Sequence, residues 1–299
     1  MGILNDVLQF LINAVSLGGL YALMALGLAI VYGILRLVNF AYGELVMVAG
    51  YTLLLLGSGP LPWAVTALAA VAVAILTSLL LERVAFRPVR HASGNTLLIT
   101  SFAVSSLLQN MALLLVSPRP KAVYLPPFLS ENLILGSLVV SKANLLSIAI
   151  SLVLMGLLVL FLKRTFLGIA LRAAADDFTM VRLLGIRANR VIATAFAISG
   201  CLAGVVALFW IGRTGSVIPT IGASPILIAF IATVIGGMDS LTGAVVGGYL
   251  LGFLTVGLQL LLPQYLLDFR PAFVFGIVIL VLLFRPQGLI RSTRSTERI

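Results

Sequence analysis

Long apolar stretches, each about the length of a bilayer crossing, alternate with short polar segments along the whole 299-residue chain. A lipid-spanning helix needs about 20 mostly apolar residues. On that basis the pattern predicts spans at about 8–34, 42–57, 62–81, 96–116, 144–162, 191–211, 224–237, 242–262 and 271–284. The first amounts to roughly 40 Å at 1.5 Å per residue, so it is expected to tilt or to extend past the hydrocarbon. The 42–57 and 224–237 segments are short, and each is read as a broken or re-entrant helix packed inside protein. The expected fold is all-α: one polytopic transmembrane helical bundle over residues 1–299, with eight or nine spans and nine preferred.

Composition supports this reading. Hydrophobic residues make up 61% of the chain and charged ones 9%, with a mean hydropathy of +1.21. A soluble fold needs roughly 25% charged residues to dress its surface. The net charge of +10 therefore takes a membrane interpretation, because arginines at span ends face headgroups and water. Nucleic-acid binding is not expected, since no basic stripe with interleaved aromatics is present. Met1 to Leu35 hold no lysine or arginine, unlike a cleavable signal peptide, so the first span is expected to be retained. Cys201 is the only cysteine and His91 the only histidine. Neither can assemble a metal site alone.

The basic residues also predict an orientation. One set of loops holds fourteen of the nineteen: Arg36; Arg83, Arg87 and Arg90; six between Lys163 and Arg190; and Arg285, Arg291, Arg294 and Arg298. The positive-inside rule places that set in the cytoplasm. An outside N-terminus, a cytoplasmic basic tail at 285–299 and an odd number of crossings follow. The pairs Gly200/Gly204, Gly243/Gly247 and Gly248/Gly252 are small-xxx-small patterns, read first as close helix packing.

Ionisable groups inside spans cost roughly 2.5–3.5 kcal/mol at the centre and draw attention for that reason. Glu44, following Asn39, is the sharpest case. Either the two lie near a translocation path or its gate, or Glu44 sits at the interface or capped in a polar break at 39–43. Gln109 and Asn110 are candidates for lining the same path, with structural hydrogen bonding between helices as the commoner alternative. Asp239 is read as an exposed turn residue, and Asp268 and Arg270 as an interfacial pair.

The stretch from Lys163 to Arg190 is the most informative loop. From Ile169 to Leu184 it lacks glycine and proline and is rich in Ala, Leu and Arg, so a helix is expected. Leu171, Ala174, Phe178 and Val181 form one apolar stripe, while Arg172 and Asp176 stand in salt-bridge register on another face. Gly185 falls where a C-terminal cap is expected. Such a helix can lie in the headgroup interface, serve as a plain connector, or dock in a groove of a soluble partner. The acidic pair Asp176–Asp177 argues against the first, because it would face an anionic leaflet.

The order Gly168, Arg172, Asp177, Leu184-Gly185-Ile186 resembles the coupling loop of ABC importer permeases of the branched-chain amino acid family. Gly19-Leu-Tyr-Ala-Leu-Met-Ala-Leu-Gly27 and Val38-Asn-Phe-Ala-Tyr-Gly-Glu-Leu45 are similar to its N-terminal signature, with Tyr42 where histidine is expected. Glu82-Arg-Val-Ala-Phe-Arg-Pro-Val-Arg90 looks like its first large cytoplasmic loop. Gly236-Gly-Met-Asp-Ser-Leu-Thr-Gly-Ala244 and Phe284-Arg-Pro-Gln-Gly-Leu289 resemble its C-terminal half, with Met238-Asp239 in place of the usual Ile/Leu-Gly. The resemblance runs in order over nearly the whole chain and is nearest to the H-type subunit.

That resemblance implies an inner-membrane permease of a bacterial cell that pairs with a second permease, two cytoplasmic ATPases and a periplasmic binding protein. Residues Gly168, Leu171, Arg172, Asp176, Asp177, Phe178, Leu184 and Gly185 would then engage an ATPase. The chain has no G-x-x-x-x-G-K-[ST] phosphate loop, so no enzymatic activity and no cofactor of its own are expected; ATP and Mg²⁺ belong to the partner ATPases. Branched-chain or related small amino acids are the expected substrates, with urea, short amides or aromatic acids as same-family alternatives. An autonomous secondary transporter would call for mid-span coupling carboxylates and two related halves, and the chain offers only Glu44 and no clear repeat.

Overall fold

The computed structural model describes residues 2–90, 92–124, 126–135 and 138–290, so His91 and the tail arginines Arg291, Arg294 and Arg298 lie outside the described residues. Its helices of six or more residues are α1 (Gly2–Leu35), α2 (Tyr42–Gly57), α3 (Trp63–Leu81), α4 (Gly94–Leu115), α5 (Lys142–Arg164), α6 (Phe166–Asp176), α7 (Phe178–Leu183), α8 (Ala188–Thr214), α9 (Ala223–Gly236), α10 (Leu241–Leu261) and α11 (Arg270–Phe284). A π-helical turn at Glu82–Phe86 continues α3, and a 3₁₀ segment at Gln264–Phe269 leads into α11. Among the described residues seven helices are long and apolar enough to cross a membrane. Helices α2 and α9 are the two short apolar ones, at 16 and 14 residues. At 1.5 Å per residue they reach roughly 24 and 21 Å, less than the ~30 Å hydrocarbon core.

The expected all-helical bundle is thus present, and each expected span overlaps one helix. Two small antiparallel pairs were not legible in the hydropathy pattern. Lys121–Ala122 pairs with Ser216–Val217, and Asn132–Leu135 pairs with Leu138–Ser141.

Contacts gather the chain into two compact units. One comprises Met1–Ala29, Pro127–Leu152 and Ile228–Ile299. Within it α1 meets α10 at glycine: a Cβ on Gly252 would strike the Gly18 backbone, and one on Gly248 the backbone of Tyr21 and Ala22. The α1–α5 contact is polar instead. Ser16 Oγ lies 2.7 Å from Ser147 Oγ, and Asn144 Nδ2 donates to Asn13 Oδ1 at 2.9 Å. Helices α9 and α10 touch through Gly236 and Gly243, where a side chain on either would meet the other's backbone. Gly237, at φ 110°, turns the chain between them, and Ser240 Oγ caps α10 by accepting from Gly243 N at 3.0 Å. The Phe284–Leu289 segment returns to this turn, with Leu289 N donating to Ile235 O at 2.7 Å and Ile290 N to Gly236 O at 3.1 Å. Two motifs that carried the resemblance, nearly fifty positions apart, therefore form one backbone-bonded corner.

The other unit comprises Ile30–Pro126 and Val153–Leu227. Helix α8 packs on α3 through Gly200 and Gly204, whose hypothetical Cβ atoms would lie 2.8 Å from Ser78 Cβ and from Val71 Cα respectively. Ser78 Oγ donates to Phe196 O at 2.7 Å across the same contact. Close backbone approach of this kind is how helices associate where no hydrophobic drive exists between them. Helix α2 is largely buried, Tyr42, Leu45, Val46 and Met47 among its enclosed side chains. Its first turn meets the turn before α9, where Gly43 and Gly222 each stand in the space a side chain on the other would need. A 16-residue helix enclosed this way satisfies its backbone within protein, as expected for a segment too short to cross lipid alone.

Candidate functional site

The break between α1 and α2 creates the first candidate site. Arg36 ends α1 in a left-handed conformation, φ 54°, which carries a steric cost for any residue with a Cβ. Asn39 then folds back: its Oδ1 accepts from Ala41 N at 3.1 Å, and its carbonyl accepts from Tyr42 N at 3.2 Å. Helix α4 braces the break, with Phe102 stacked on Phe40 at 4.2 Å between ring centroids. Ser101 Oγ also reaches Val38 O at 3.5 Å.

This arrangement aims Glu44, which is 1% exposed, at α4. Its Oε1 accepts from Gln109 Nε2 at 2.7 Å and from Ser105 Oγ at 2.9 Å. Its Oε2 is buried without a hydrogen-bond partner, as are the hydroxyls of Tyr42 and Tyr51 on the same helix. Asn39 is likewise enclosed, at 2% exposure. The structure thus brings Glu44 and Gln109 together and sets Asn39 at the entry to the same helix. It leaves Asn110 out: that side chain stands on the exposed face of α4 and donates to Ser106 O at 2.8 Å. Ser105 was missed by the sequence reading; its position one helical turn before Gln109 was the available signal.

Glu44→Ala is expected to lower stability by about 1–3 kcal/mol, because it strands the donors of Gln109 and Ser105. Glu44→Gln keeps an acceptor in place and is expected to be nearly neutral. Thermal unfolding of both variants in detergent checks this, and equal losses for the two would contradict it.

The 163–190 loop forms the second candidate site. The single helix expected over 169–184 is instead two, α6 and α7, with an elbow at Asp177, whose backbone is extended at φ −144° and ψ 101°. The reason is local. Thr165 Oγ1 caps α6 by accepting from Gly168 N at 3.0 Å. Asp177 ends α6, its N–H donating to Ala173 O at 2.9 Å, and caps the next helix, its Oδ1 accepting from Met180 N at 3.0 Å. An Asp at a helix start competes well with helix continuation. Gly185, at φ 78°, closes α7 with paired bonds from Gly185 N to Arg182 O and from Ile186 N to Val181 O, the Schellman arrangement.

The stripe survives the elbow: Leu171, Ala174 and Val181 are buried and Phe178 is half-buried. Gly168 is buried against α5, with no room for a Cβ beside the Phe161 and Leu162 backbone. Arg172, Asp176, Asp177, Leu184 and Gly185 are exposed, together with Met180 and Leu183. Caps thus fix two short helices that leave charged and bulky apolar groups exposed.

Comparison with known proteins places this architecture. A model of the family described as "Branched-chain amino acid transport system / permease component" matches residues 10–284. The high-affinity branched-chain amino acid transport system permease protein BraD of Pseudomonas aeruginosa is 38% identical, with 95% of each chain covered. The corresponding LivH permease proteins of Salmonella typhimurium and Escherichia coli are 34% identical at the same coverage. No solved structure matches. Seven long apolar helices and relatives that are themselves permeases make this a multi-pass protein of the inner membrane. With a family model across residues 10–284 and full-length relatives at 34–38% identity, the chain belongs to the branched-chain amino acid transport system permease family.

Proposed function

We propose that this chain is a translocation subunit of an ATP-driven importer for branched-chain or related small amino acids, moved by ATPases that grip the 163–190 loop. The observation that carries the reading is the capped α6–α7 elbow. Its two caps, Asp177 and Gly185, hold an exposed surface that suits a groove on a soluble partner. The ATPases supply ATP and Mg²⁺ chemistry, and a binding protein delivers the substrate. A second permease completes the path. The E. coli permease protein LivM, 31% identical over 156 residues and matched over 51% of this chain, supports a pairing of two related but unequal permeases. Asn39, Glu44 and Gln109 are the residues assigned to the path or its gate.

Solubilised from its native membrane, the chain is expected to co-purify with two ATPase subunits, a second permease and, with substrate, a binding protein. A ligand screen on that binding protein is expected to return leucine, isoleucine or valine. Preference for urea, short amides or aromatic acids would move the substrate assignment and leave the architecture standing, whereas a chain purified alone from intact membranes would contradict the whole reading.

A further inference from the structure

Two adjoining cavities lie where α7 hands over to α8, and Phe178, Leu184 and Gly185 of the loop border them. The larger, about 860 Å³, is walled mainly by apolar groups, among them Leu79, Phe166, Val191 and Ala197. The smaller, about 410 Å³, is lined by Arg90, Arg182, Arg187 and Arg190 with Phe178 and Asn189. Arg187 and Arg190 border both. Among the described residues no aspartate or glutamate lines either cavity.

We propose that this pair of cavities binds an anionic phospholipid, its phosphate held by Arg182, Arg187 and Arg190 and an acyl chain laid in the apolar cleft. The side chains of these three arginines have no hydrogen-bond or ion-pair partner among the described residues. Arg90 is oriented by donating to Asn189 Oδ1, and the nearby Glu82 carboxylate offsets part of its charge. Guanidinium groups bind phosphate through several parallel N–H donors, and clustered arginines at the water interface of spans are suited to anionic headgroups.

The apolar cleft decides between ligands that share a phosphate. A free anion would leave it empty. Leu79 and Ala197, which line it, belong to α3 and α8, two helices apolar enough to span the bilayer, so an acyl chain suits this wall. A lipid supplies both parts from the membrane the protein already occupies. Its size is also appropriate, since ligand cavities run to roughly 300–1,000 Å³. The proposal needs only a membrane–water interface at this level, so its failure leaves the proposed function untouched.

The test is native mass spectrometry of the full chain in neutral detergent, titrated with phosphatidylglycerol, phosphatidylcholine or glycerol 3-phosphate. Phosphatidylglycerol is expected to bind in preference to the other two. Its affinity should fall about fivefold for each arginine removed in Arg187→Gln and Arg190→Gln, the equivalent of about 1 kcal/mol each. The double lysine variant, which keeps the charge but not the parallel donors, should bind more tightly than the double glutamine variant and less tightly than the parent, and so exclude misfolding as the cause. Equal binding of phosphatidylcholine would overturn the proposal, and so would equal binding of glycerol 3-phosphate. A third contrary result is that Arg187→Glu with Arg190→Glu releases the ATPase subunits while phosphatidylglycerol occupancy stays unchanged, which would assign the cleft to a protein partner.

Discussion

Alanine at position 43 is expected to cut the yield of folded, monodisperse protein sharply, while alanine at position 156 leaves it unchanged or raises it. A Cβ on Gly43 would overlap the Gly222 carbonyl oxygen and sit 3.0 Å from both the Gly222 carbonyl carbon and Ile226 Cβ. The first obstacle is backbone, so no rotamer change relieves it. Overpacking of this kind costs roughly 1–3 kcal/mol or more. Gly156, on the exposed face of α5, has no atom within 4 Å of its hypothetical Cβ; there alanine gains up to about 1 kcal/mol of helix propensity. The effect at 43 should also reach the site, because moving the first turn of α2 draws Glu44 away from Ser105 and Gln109. Thermal unfolding in detergent reads the stability difference. Equal melting of the two variants would show that the Gly43–Gly222 contact is not tight.

The second large effect concerns the loop. Gly185→Val and Asp177→Ala are expected to lower ATPase association and uptake by about five- to thirtyfold and about fivefold respectively, with membrane insertion unchanged. Helix α7 has six residues, and so short a helix is marginal without its caps. Valine at φ 78° incurs the left-handed penalty of roughly 1–2 kcal/mol. Removing the Asp177 cap costs about 1 kcal/mol. Asp177→Asn separates structure from recognition, because asparagine caps as well as aspartate. Retained association in Asp177→Asn assigns the residue to shaping α7; loss equal to that of Asp177→Ala assigns the carboxylate itself to the partner contact. Normal association in both Gly185→Val and Asp177→Ala would remove the loop from the coupling role.

Much of the fold was legible because spans announce themselves by length and hydropathy alone. Even the short segments 42–57 and 224–237 correspond to α2 and α9 nearly residue for residue. Which span touches which was not legible. Helices apolar on every side give no periodic signal of a buried face, and the Gly43–Gly222 contact joins positions nearly 180 residues apart. The Glu44 cluster shows the same limit: Glu44 and Gln109 stood out as costly groups in apolar surroundings, but only packing tells that Gln109 turns toward Glu44 while Asn110 turns away. The elbow at Asp177 was hidden for another reason. The 169–184 stretch has uninterrupted helix propensity, and the break depends on one side chain capping the following turn, a local competition that averaged propensity does not register.

The central claim is that transport through this chain depends on ATPases acting from outside it. Its most direct test is uptake of labelled leucine into proteoliposomes containing the two permeases, with or without the ATPases, with the binding protein supplied on the face opposite the ATPases. Accumulation is predicted only with ATPases and ATP present, and it should persist when ion gradients are collapsed. Accumulation driven by a proton or sodium gradient without ATPases would contradict the account and make the chain a secondary transporter.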